Sequence, residues 1–455
     1  MNFALNLHSR NSHITRRISE VHKILTIFIT RKLVTIINCA LMLKDLERHA
    51  RMEKTKPKDV SKETARLFLI SRQGFLQEKR GRNETLEAIK RLECVQMDPI
   101  SVVHRNQHLV LHNRIVDYKP SYLDQLIYKD RLLFEYWCNE KSIIPIEDFP
   151  YFRYRMQNPS KFHSPFYERL KAKRKSLKDT IAHVLSEIRK HGPLSAQEFK
   201  QKGKIKSKVA TSVLNLLWDC GELMIQHVEG NRRYYDLTER LLPSNPDAKT
   251  PSREEYERFM IRKYMRAYGL IDIRHWRFGW LPLKASQRKN TVKKMTEDNE
   301  LCPVKIEGVK HLYYVSEENS SLLENSDTSV SEKVHFVAPL DNLLWNRRMI
   351  SEIFDFNYSW EVYKPPEKRI YGYYVMPILY GTRFIGRLDP KLDRQNRKMI
   401  INSIVLEEKD YDRDSLVDEF AAALQRFLKL HDVSRISVEK TSPKDLKHAL
   451  MCELG

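Results

Sequence analysis

Gln96 and Asp98 are the two side chains whose types and spacing point most directly to chemistry. They belong to the run Gln96-Met97-Asp98-Pro99, which lies between two segments with a helical pattern. Side chains two residues apart project to the same side of an extended strand, so a strand here would aim an amide and a carboxylate at one spot. An ionised carboxylate can act as a general base or stabilise a developing cation.

The same run also has a purely structural interpretation. Asp is a preferred helix N-cap and Pro is favoured directly after it, so Asp98 and Pro99 are typical of a helix start. The local sequence alone favours this interpretation, which predicts a helix from Pro99 to about Ile115. The two interpretations are compatible, because the positive end of that helix would keep the Asp98 carboxylate ionised.

His104, His108 and His112 follow the motif at intervals of four residues. On the predicted helix they would line one face, which is a geometry that metal ligands use, but no neighbouring residue completes a zinc set. We therefore predict no metal. Instead, we expect His104 and His108 to face the Gln96 and Asp98 site or the phosphates of a nucleic acid.

Glu135 and Glu140 flank Tyr136 and Trp137 and form a second candidate. Paired carboxylates fit an acid and base pair for glycoside cleavage, but a packed aromatic corner with surface acids is the favoured interpretation. The sequence contains no Gly-rich phosphate loop, Gly-x-Ser-x-Gly elbow or His-Glu-x-x-His motif. This excludes P-loop NTPases, dinucleotide enzymes, α/β-hydrolases and zincins.

The composition favours a polyanionic partner. The chain has 455 residues, with 80 Lys and Arg against 59 Asp and Glu and a formal net charge of +21. A charge of this size points to nucleic acid first and to an anionic membrane second. The six cysteines form no Cys-x-x-Cys pair, which argues against a zinc ribbon or an iron–sulfur cluster and fits a reducing compartment.

Residues 1–51 do not match the rest of the chain. Their longest uncharged stretch, Leu33–Leu43, is shorter than the roughly 20 residues that cross a bilayer, so we predict no membrane span. A signal peptide is one alternative, because Arg16, Arg17 and Lys23 precede an apolar run, but no small-residue cleavage site follows. We favour Met52 as the native start.

Residues 176–237 show the clearest module. The pattern predicts an amphipathic helix, a second short helix after a capping box at Ser195, a third helix over 206–219, and a hairpin that turns at Gly230. This is the winged-helix order, in which the third helix enters a major groove. A small domain that binds nothing is the alternative. The residues that we expect to contact DNA are Lys206, Lys208, Ser212 and Asn215 on the third helix, and Arg232 and Arg233 on the hairpin.

The predicted fold class is α+β, with tandem winged-helix units followed by a small antiparallel β-barrel or curled sheet. The expected divisions are an N-terminal extension (1–51), a first winged-helix-like domain with the Gln96 and Asp98 motif (52–170), a second winged-helix domain (171–248), a third (249–320), a β-rich domain with a closing helix (333–440), and a tail (441–455).

Several strings occur in an order that is similar to one known family. They are Leu92-Glu93-Cys94-Val95-Gln96-Met97-Asp98, Glu135-Tyr136-Trp137, Gly221-Glu222-Leu223-Met224, Tyr235 to Arg240, Pro339 to Trp345, Phe354-Asp355-Phe356, Trp360-Glu361-Val362-Tyr363, and Gly386 to Lys391. The ordered set, from about residue 62 to 440, resembles the YcaQ/AlkZ-type winged-helix DNA glycosylases, and Gln96-Met97-Asp98 resembles the Gln-x-Asp, YcaQ-like branch. Two positions depart from the family pattern: Asn139 stands where His is expected, and Asn346 stands where Asp is expected.

The resemblance implies a bacterial enzyme. We expect a monomer of the cytoplasm and nucleoid that needs no metal and no cofactor. The resemblance also implies a C-shaped channel around double-stranded DNA, cleavage of the N-glycosidic bond of N7-alkylated guanine, and unhooking of interstrand crosslinks. Gln96 and Asp98 would be catalytic, without a lyase step. The alternative is a non-enzymatic winged-helix regulator, which explains the charge and the module of residues 176–237 but not the Gln96 and Asp98 pair.

Overall fold

The computed structural model describes Met42 and residues 56–158, 177–201, 205–242, 250–324, 332–407 and 411–454. The expected N-terminal extension and the Met52 start lie outside the described residues. Among the helices that are described, none is long and apolar enough to cross a bilayer.

The described elements mix helices and strands, as the sequence predicts. The helices are α1 (Lys62–Arg72), α2 (Gly81–Leu92), α3 (Asn106–His112), α4 (Pro120–Asp124), α5 (Phe149–Gln157), α6 (Lys178–His191), α7 (Ala196–Gln201), α8 (Ser207–Asp219), α9 (Thr238–Leu241), α10 (Arg253–Tyr268), α11 (Ala285–Glu297), α12 (Glu317–Glu324), α13 (Arg347–Phe354), α14 (Arg413–Leu430) and α15 (Leu446–Leu454). The strands are β1 (Lys58–Val60), β2 (Val95–Gln96), β3 (Leu133–Trp137), β4 (Lys141–Pro145), β5 (Leu223–Glu229), β6 (Arg232–Leu237), β7 (Leu270–Ile271), β8 (Leu301–Ile306), β9 (Tyr313–Ser316), β10 (Val334–Phe336), β11 (Met376–Tyr380), β12 (Arg383–Asp393), β13 (Lys398–Leu406) and β14 (Arg435–Ser442).

The segment that carries the motif contains a small antiparallel sheet in the order β2-β4-β3. Gln96, the last residue of β2, lies opposite Ser142 of β4. The helix expected from Pro99 is not present, because residues 97–105 form no regular element and α3 begins only at Asn106. The interpretation of Asp98 as a helix N-cap is therefore wrong.

In the described part of residues 177–242, the helices α6 to α8 are followed by the β5–β6 hairpin, which is the order that the sequence predicts, and then by the short helix α9. Leu194, between α6 and α7, forms an isolated antiparallel bridge with Tyr235 of β6. This bridge ties the first two helices to the hairpin. The buried face of α8 includes Val213, Leu214 and Leu217.

Residues 250–324 share a sheet with the start of the described chain. The sheet order is β1-β8-β9-β7, and β1 pairs parallel with β8 through Asp59 opposite Lys305. Between α10 and α11 the chain forms β7 and one 3₁₀ turn, Phe278–Trp280. β1 belongs to the expected first domain (52–170) and β8 to the expected third domain (249–320). Backbone pairing therefore joins these two parts of the chain.

The C-terminal sheet is open over its described strands, which contradicts the expected β-barrel but not the alternative of a curled sheet. Its five described strands run in the linear order β10-β11-β12-β13-β14, and the β13–β14 pair is parallel. The physical reason is that α14 connects β13 to β14, and a helical crossover returns the chain in the same direction. Phe420 and Leu424 of α14 and Leu450 of α15 are buried in the same core as this sheet.

A buried ion pair joins the motif segment to the C-terminal part. Arg114 donates two hydrogen bonds of 2.8 Å to the two carboxylate oxygens of Asp341. Both side chains are almost fully buried, with relative exposures of 2% and 0%. Removing one partner would leave an uncompensated buried charge, so this pair fixes how the two parts meet.

Candidate active site

Asp98 opens into a cleft and its carboxylate is half-buried. Asp98 Oδ1 accepts a hydrogen bond of 2.8 Å from the backbone N–H of Ile100, two residues on, which is an Asx turn. Burial raises the pKa of the Asp98 carboxyl above its usual 3.8, and the hydrogen bond from Ile100 opposes that rise only in part. A carboxylate with a raised pKa is a stronger proton acceptor, which suits a general base.

The loop that carries Asp98 is held by a residue almost three hundred positions away. Arg394, at the turn between β12 and β13, donates from Nη2 to the carbonyl oxygens of Ser101 at 3.0 Å and Val103 at 3.1 Å. The backbone N–H of Leu392 also donates to the Val102 carbonyl at 3.3 Å. These tertiary contacts, and not a helix, hold the backbone of the loop that follows Asp98.

Gln96 is buried, with 8% of its surface exposed. Its Oε1 accepts from Asn139 Nδ2 at 3.4 Å, and its backbone oxygen accepts from Asn106 Nδ2 at 2.8 Å. The residues that line the cleft include Met97, Asp98 and Pro99 but not Gln96. The strand ends at Gln96, so the alternation that would aim both side chains at one spot does not extend to Asp98.

The two departures from the family pattern both have structural partners. Asn139 lies between Gln96 and Arg277, whose Nη1 donates to Asn139 Oδ1 at 3.0 Å. Asn346 precedes α13 and caps it, because its Oδ1 accepts from the backbone N–H of Met349 at 3.3 Å. Asn supplies the same capping oxygen that Asp would at this position.

The cleft lies between the motif loop and the module of residues 177–242. Its volume is about 1130 Å³, above the roughly 300–1,000 Å³ of small-ligand pockets. Across from Asp98, its wall is formed by α8 and by the tip of the β5–β6 hairpin. The residues of that wall include Ser207, Thr211, Leu214, Asn215, Gly230, Asn231, Arg232 and Arg233. This size and position suit a macromolecular substrate.

Only some of the residues predicted to bind DNA line the cleft. Asn215, Arg232 and Arg233 line the cleft, whereas Lys206 and Lys208 are exposed beside it at the start of α8. Asn215 Oδ1 accepts from the Tyr235 hydroxyl at 3.1 Å. The Ser212 hydroxyl donates to the Lys208 carbonyl at 2.9 Å, a bond within the helix.

Glu135 is a cleft residue whose setting the sequence did not reveal. It is buried, with 6% exposure, and the expectation of a surface acid is wrong at this position. Tyr128 donates to Oε1 at 2.6 Å, Lys141 Nζ lies 3.0 Å from Oε2, and Arg233 lies 3.8 Å from it. Burial raises the pKa of Glu135, but Lys141, Arg233 and Tyr128 outweigh it and the net pKa is lowered.

Glu140 does not join Glu135. It sits on the turn between β3 and β4 and is ion-paired with Arg277. The two glutamates therefore have separate cationic partners, and this arrangement does not form the acid and base pair considered from the sequence. The sequence carries no signal for the cluster of Glu135, Lys141 and Arg233, because it is assembled across the β3–β4 sheet and the cleft.

His104 and His108 pack against each other, and the pKa of each is well below its usual value. The rings of His104 and His108 lie 4.4 Å apart, and His108 Nδ1 lies 2.8 Å from the Tyr118 hydroxyl. Burial, reinforced by neighbouring positive charge, lowers the pKa of His104 to about 4 and that of His108 to about 3. His108 lines the cleft. Over the described residues, no group of three or more His, Cys, Asp or Glu side chains could hold a metal.

The comparisons identify the class of protein. The family model described as "DNA glycosylase AlkZ-like" matches residues 89–430, a stretch that contains the Asp98 loop, the cleft and Arg394. The chain belongs to the AlkZ-like DNA glycosylase family. It is therefore an enzyme, a DNA glycosylase, and its substrate is DNA.

One solved structure gives the fold an independent match. The Streptomyces sahachiroi DNA glycosylase AlkZ is similar over 84% of this chain and 99% of its own, with a TM-score of 0.58 and 17% sequence identity. At that identity the likeness concerns the fold.

Proposed function

We propose that this glycosylase hydrolyses the N-glycosidic bond of N7-alkylated guanine in double-stranded DNA and unhooks interstrand crosslinks. The observation that carries the proposal is the half-buried Asp98 carboxylate, which lines an open cleft of about 1130 Å³ together with residues of α8 and of the β5–β6 hairpin. A crosslinked base cannot rotate freely out of the helix into a tight pocket, so an open cleft suits this substrate.

Asp98 is the proposed catalytic carboxylate. An N7-alkylguanine already carries positive charge and is a good leaving group, while the sugar develops oxocarbenium character as its glycosidic bond breaks. The ionised Asp98 stabilises that cation and accepts a proton from the attacking water. Its raised pKa strengthens it as a base for this transfer.

Gln96 has a supporting role in this proposal, to orient the water or the deoxyribose. Its contact with Asn139 is 3.4 Å long, at the weak limit for a hydrogen bond, so the carboxamide can exchange this partner at small cost. We propose no metal and no cofactor for the reaction.

The reaction is proposed to stop at hydrolysis, without cleavage of the DNA strand. Lys141 lines the cleft, but its ammonium is ion-paired with Glu135 at 3.0 Å and lies 4.7 Å from the centroid of the Trp218 ring. Burial lowers the pKa of Lys141, but the Glu135 carboxylate opposes that shift and engages the ammonium. We therefore do not propose Lys141 as a Schiff-base nucleophile. Reduction of a reaction mixture with borohydride should therefore trap no covalent complex between protein and DNA.

Residues 177–242 are proposed to be a winged helix that grips the duplex. The face of α8 with Asn215 and the hairpin tip with Arg232 line the same cleft as Asp98, so DNA held by this module would reach the carboxylate. Lys206 and Lys208 would contact phosphates beside it. We further propose a monomer that acts in the bacterial cytoplasm, at the nucleoid.

The test uses a duplex with a single 7-methylguanine, followed by alkali, which breaks the strand at abasic sites. The unmodified protein should release the base, and Asp98→Asn should reduce the strand breaks to background. Asp432→Asn, at a surface aspartate with 94% side-chain exposure, is the matched control and should keep full activity. Equal activity of Asp98→Asn and the unmodified protein would remove Asp98 from the chemistry. A duplex with a nitrogen-mustard crosslink tests unhooking in the same way.

A further inference from the structure

The loop from Glu361 to Tyr373 exposes large apolar side chains although its backbone is well held. Tyr363 is 79% exposed and Ile370 is 77% exposed, the highest values for large hydrophobic side chains among the described residues, and Tyr373 is 39% exposed. Exposed apolar side chains that cluster in this way mark binding surfaces.

One buried carboxylate organises the loop. Glu361 is 2% exposed, and its Oε2 accepts from the backbone N–H groups of Ile370 and Tyr371 at 2.9 Å each, while its Oε1 accepts from Lys364 Nζ at 2.9 Å. Arg369 Nε donates to the Lys364 carbonyl at 2.9 Å and closes the loop further. The exposed side chains are thus presented in a fixed arrangement, which lowers the entropy lost when a partner binds.

Aromatic contacts connect the loop to the core against which the motif segment packs. The Trp360 ring packs 5.7 Å from Tyr363 on one side and 6.1 Å from Tyr374 on the other. Burial, then Tyr358 and then the negative charge of Asp98 raise the pKa of the buried Tyr374. Trp360 and Met97 also pack against the same core cluster.

The charge of the loop favours nucleic acid as its partner. Lys368 is exposed, and the guanidinium of Arg369 lies 4.7 Å from the centroid of the Tyr373 ring. Cationic side chains interleaved with exposed aromatic rings are typical of surfaces that hold a phosphate backbone and stack on bases. We favour DNA over a protein as the partner, because Lys368 and Arg369 stand next to the exposed apolar side chains of the loop.

We propose that this loop is a DNA wedge, in which Tyr363 and Ile370 insert between stacked bases next to the reacting nucleotide while Lys368 and Arg369 contact the adjacent phosphates. Apolar wedges of this kind unstack a base step and distort the duplex. The distortion would bring the damaged nucleotide toward Asp98 without requiring the base to leave the helix. The position of the wedge next to the reacting nucleotide rests on the proposed function, whereas the binding experiment that tests the wedge does not depend on catalysis.

The experiment measures binding in an Asp98→Asn background, so that no substrate is consumed. The probe is a duplex with 7-methylguanine and with 2-aminopurine at the neighbouring base pair, whose fluorescence rises when stacking is lost. The background protein should raise the fluorescence. Adding Tyr363→Ala and Ile370→Ala should abolish that rise and weaken affinity about tenfold. Tyr363→Phe, which keeps the ring, should retain both.

Leu322→Ala, at a 57% exposed leucine on α12, is the control and should leave fluorescence and affinity unchanged. Unchanged fluorescence and affinity in the Tyr363 and Ile370 double variant would overturn the wedge. Affinity lost with the fluorescence rise intact would also overturn it, because the loop would then grip DNA without entering the stack. Failure of the glycosylase proposal would instead appear in the base-release assay with Asp98 intact, which this binding measurement does not use.

Discussion

Arg394 lies 3.0 Å from the carbonyl oxygen of Ser101, so the β12–β13 turn directly holds the loop that carries Asp98. One guanidinium gathers several acceptors of that loop, a geometry that its planar fork permits and an ammonium does not. The C-terminal sheet therefore takes part in forming the site, although Asp98 is almost three hundred residues away in sequence.

Arg394→Ala should lower kcat by roughly ten- to a hundredfold, because small displacements of a catalytic group are costly. KM should change little, and the acidic limb of the pH profile should shift to lower pH as Asp98 becomes more hydrated. Arg394→Lys should recover part of the rate. Arg397→Ala is the matched control from the same turn, since Arg397 pairs with the exposed Asp432. Equal kinetics for both alanine variants would show that the Arg394 contacts do not position Asp98.

The acidic limb of kcat/KM should have its midpoint above pH 3.8, the usual pKa of Asp, because burial raises the pKa of Asp98. Asp98 must be ionised to act, so activity is lost as the pH falls through its folded-state pKa. A pH series on the 7-methylguanine duplex measures this midpoint. A midpoint at or below 3.8, with the fold intact by circular dichroism, would contradict the proposed environment.

Asp98→Asn should abolish activity without lowering the melting temperature at neutral pH. A carboxyl whose folded pKa is raised binds more protons in the folded state, so its contribution to stability falls as the pH rises from the unfolded pKa through the folded one. The amide avoids that penalty, and its advantage should be absent at acidic pH and present at pH 7. Melting curves at both pH values measure the difference. A marked loss of stability at pH 7 would mean that the carboxylate is structurally required.

Arg232→Ala and Arg233→Ala should differ. Arg232 lines the cleft near the tip of the β5–β6 hairpin. Its loss should weaken DNA binding and should reduce the slope of log affinity against log salt by about the amount expected for one phosphate contact. Arg233 lies 3.8 Å from Glu135, so its loss should mainly raise the pKa of Glu135 and change the salt slope less. Binding titrations at several salt concentrations compare them. An unchanged slope in Arg232→Ala would remove Arg232 from the interface.

Asp341→Asn should destabilise the protein by about 3–5 kcal/mol, because it leaves Arg114 buried without its anionic partner. Both carboxylate oxygens of Asp341 now accept hydrogen bonds of 2.8 Å from that guanidinium. Denaturant titration measures the loss, and Asp432→Asn at the surface should show no measurable change. A loss below about 1 kcal/mol would indicate that this pair behaves like an exposed one.

Much of the organisation follows from short-range patterns. The three helices and the hairpin of residues 177–242 occur in the order that hydrophobic periodicity, the capping box at Ser195 and the turn at Gly230 predict. The ordered strings identified the DNA glycosylase family, which the match over residues 89–430 confirms. These features depend on neighbouring residues, whose preferences the sequence states directly.

Tertiary structure alone decided the character of the site. The sequence supplied Gln96 and Asp98 as a pair, but Gln96 is buried in β2 opposite Ser142, and Arg394 holds the loop that carries Asp98. Glu135 is a second example. The sequence predicts a surface acid there, but the folded chain buries Glu135 beside Lys141 and Arg233. A side chain's burial and pKa depend on groups that are distant in sequence, and only the folded chain brings those groups together.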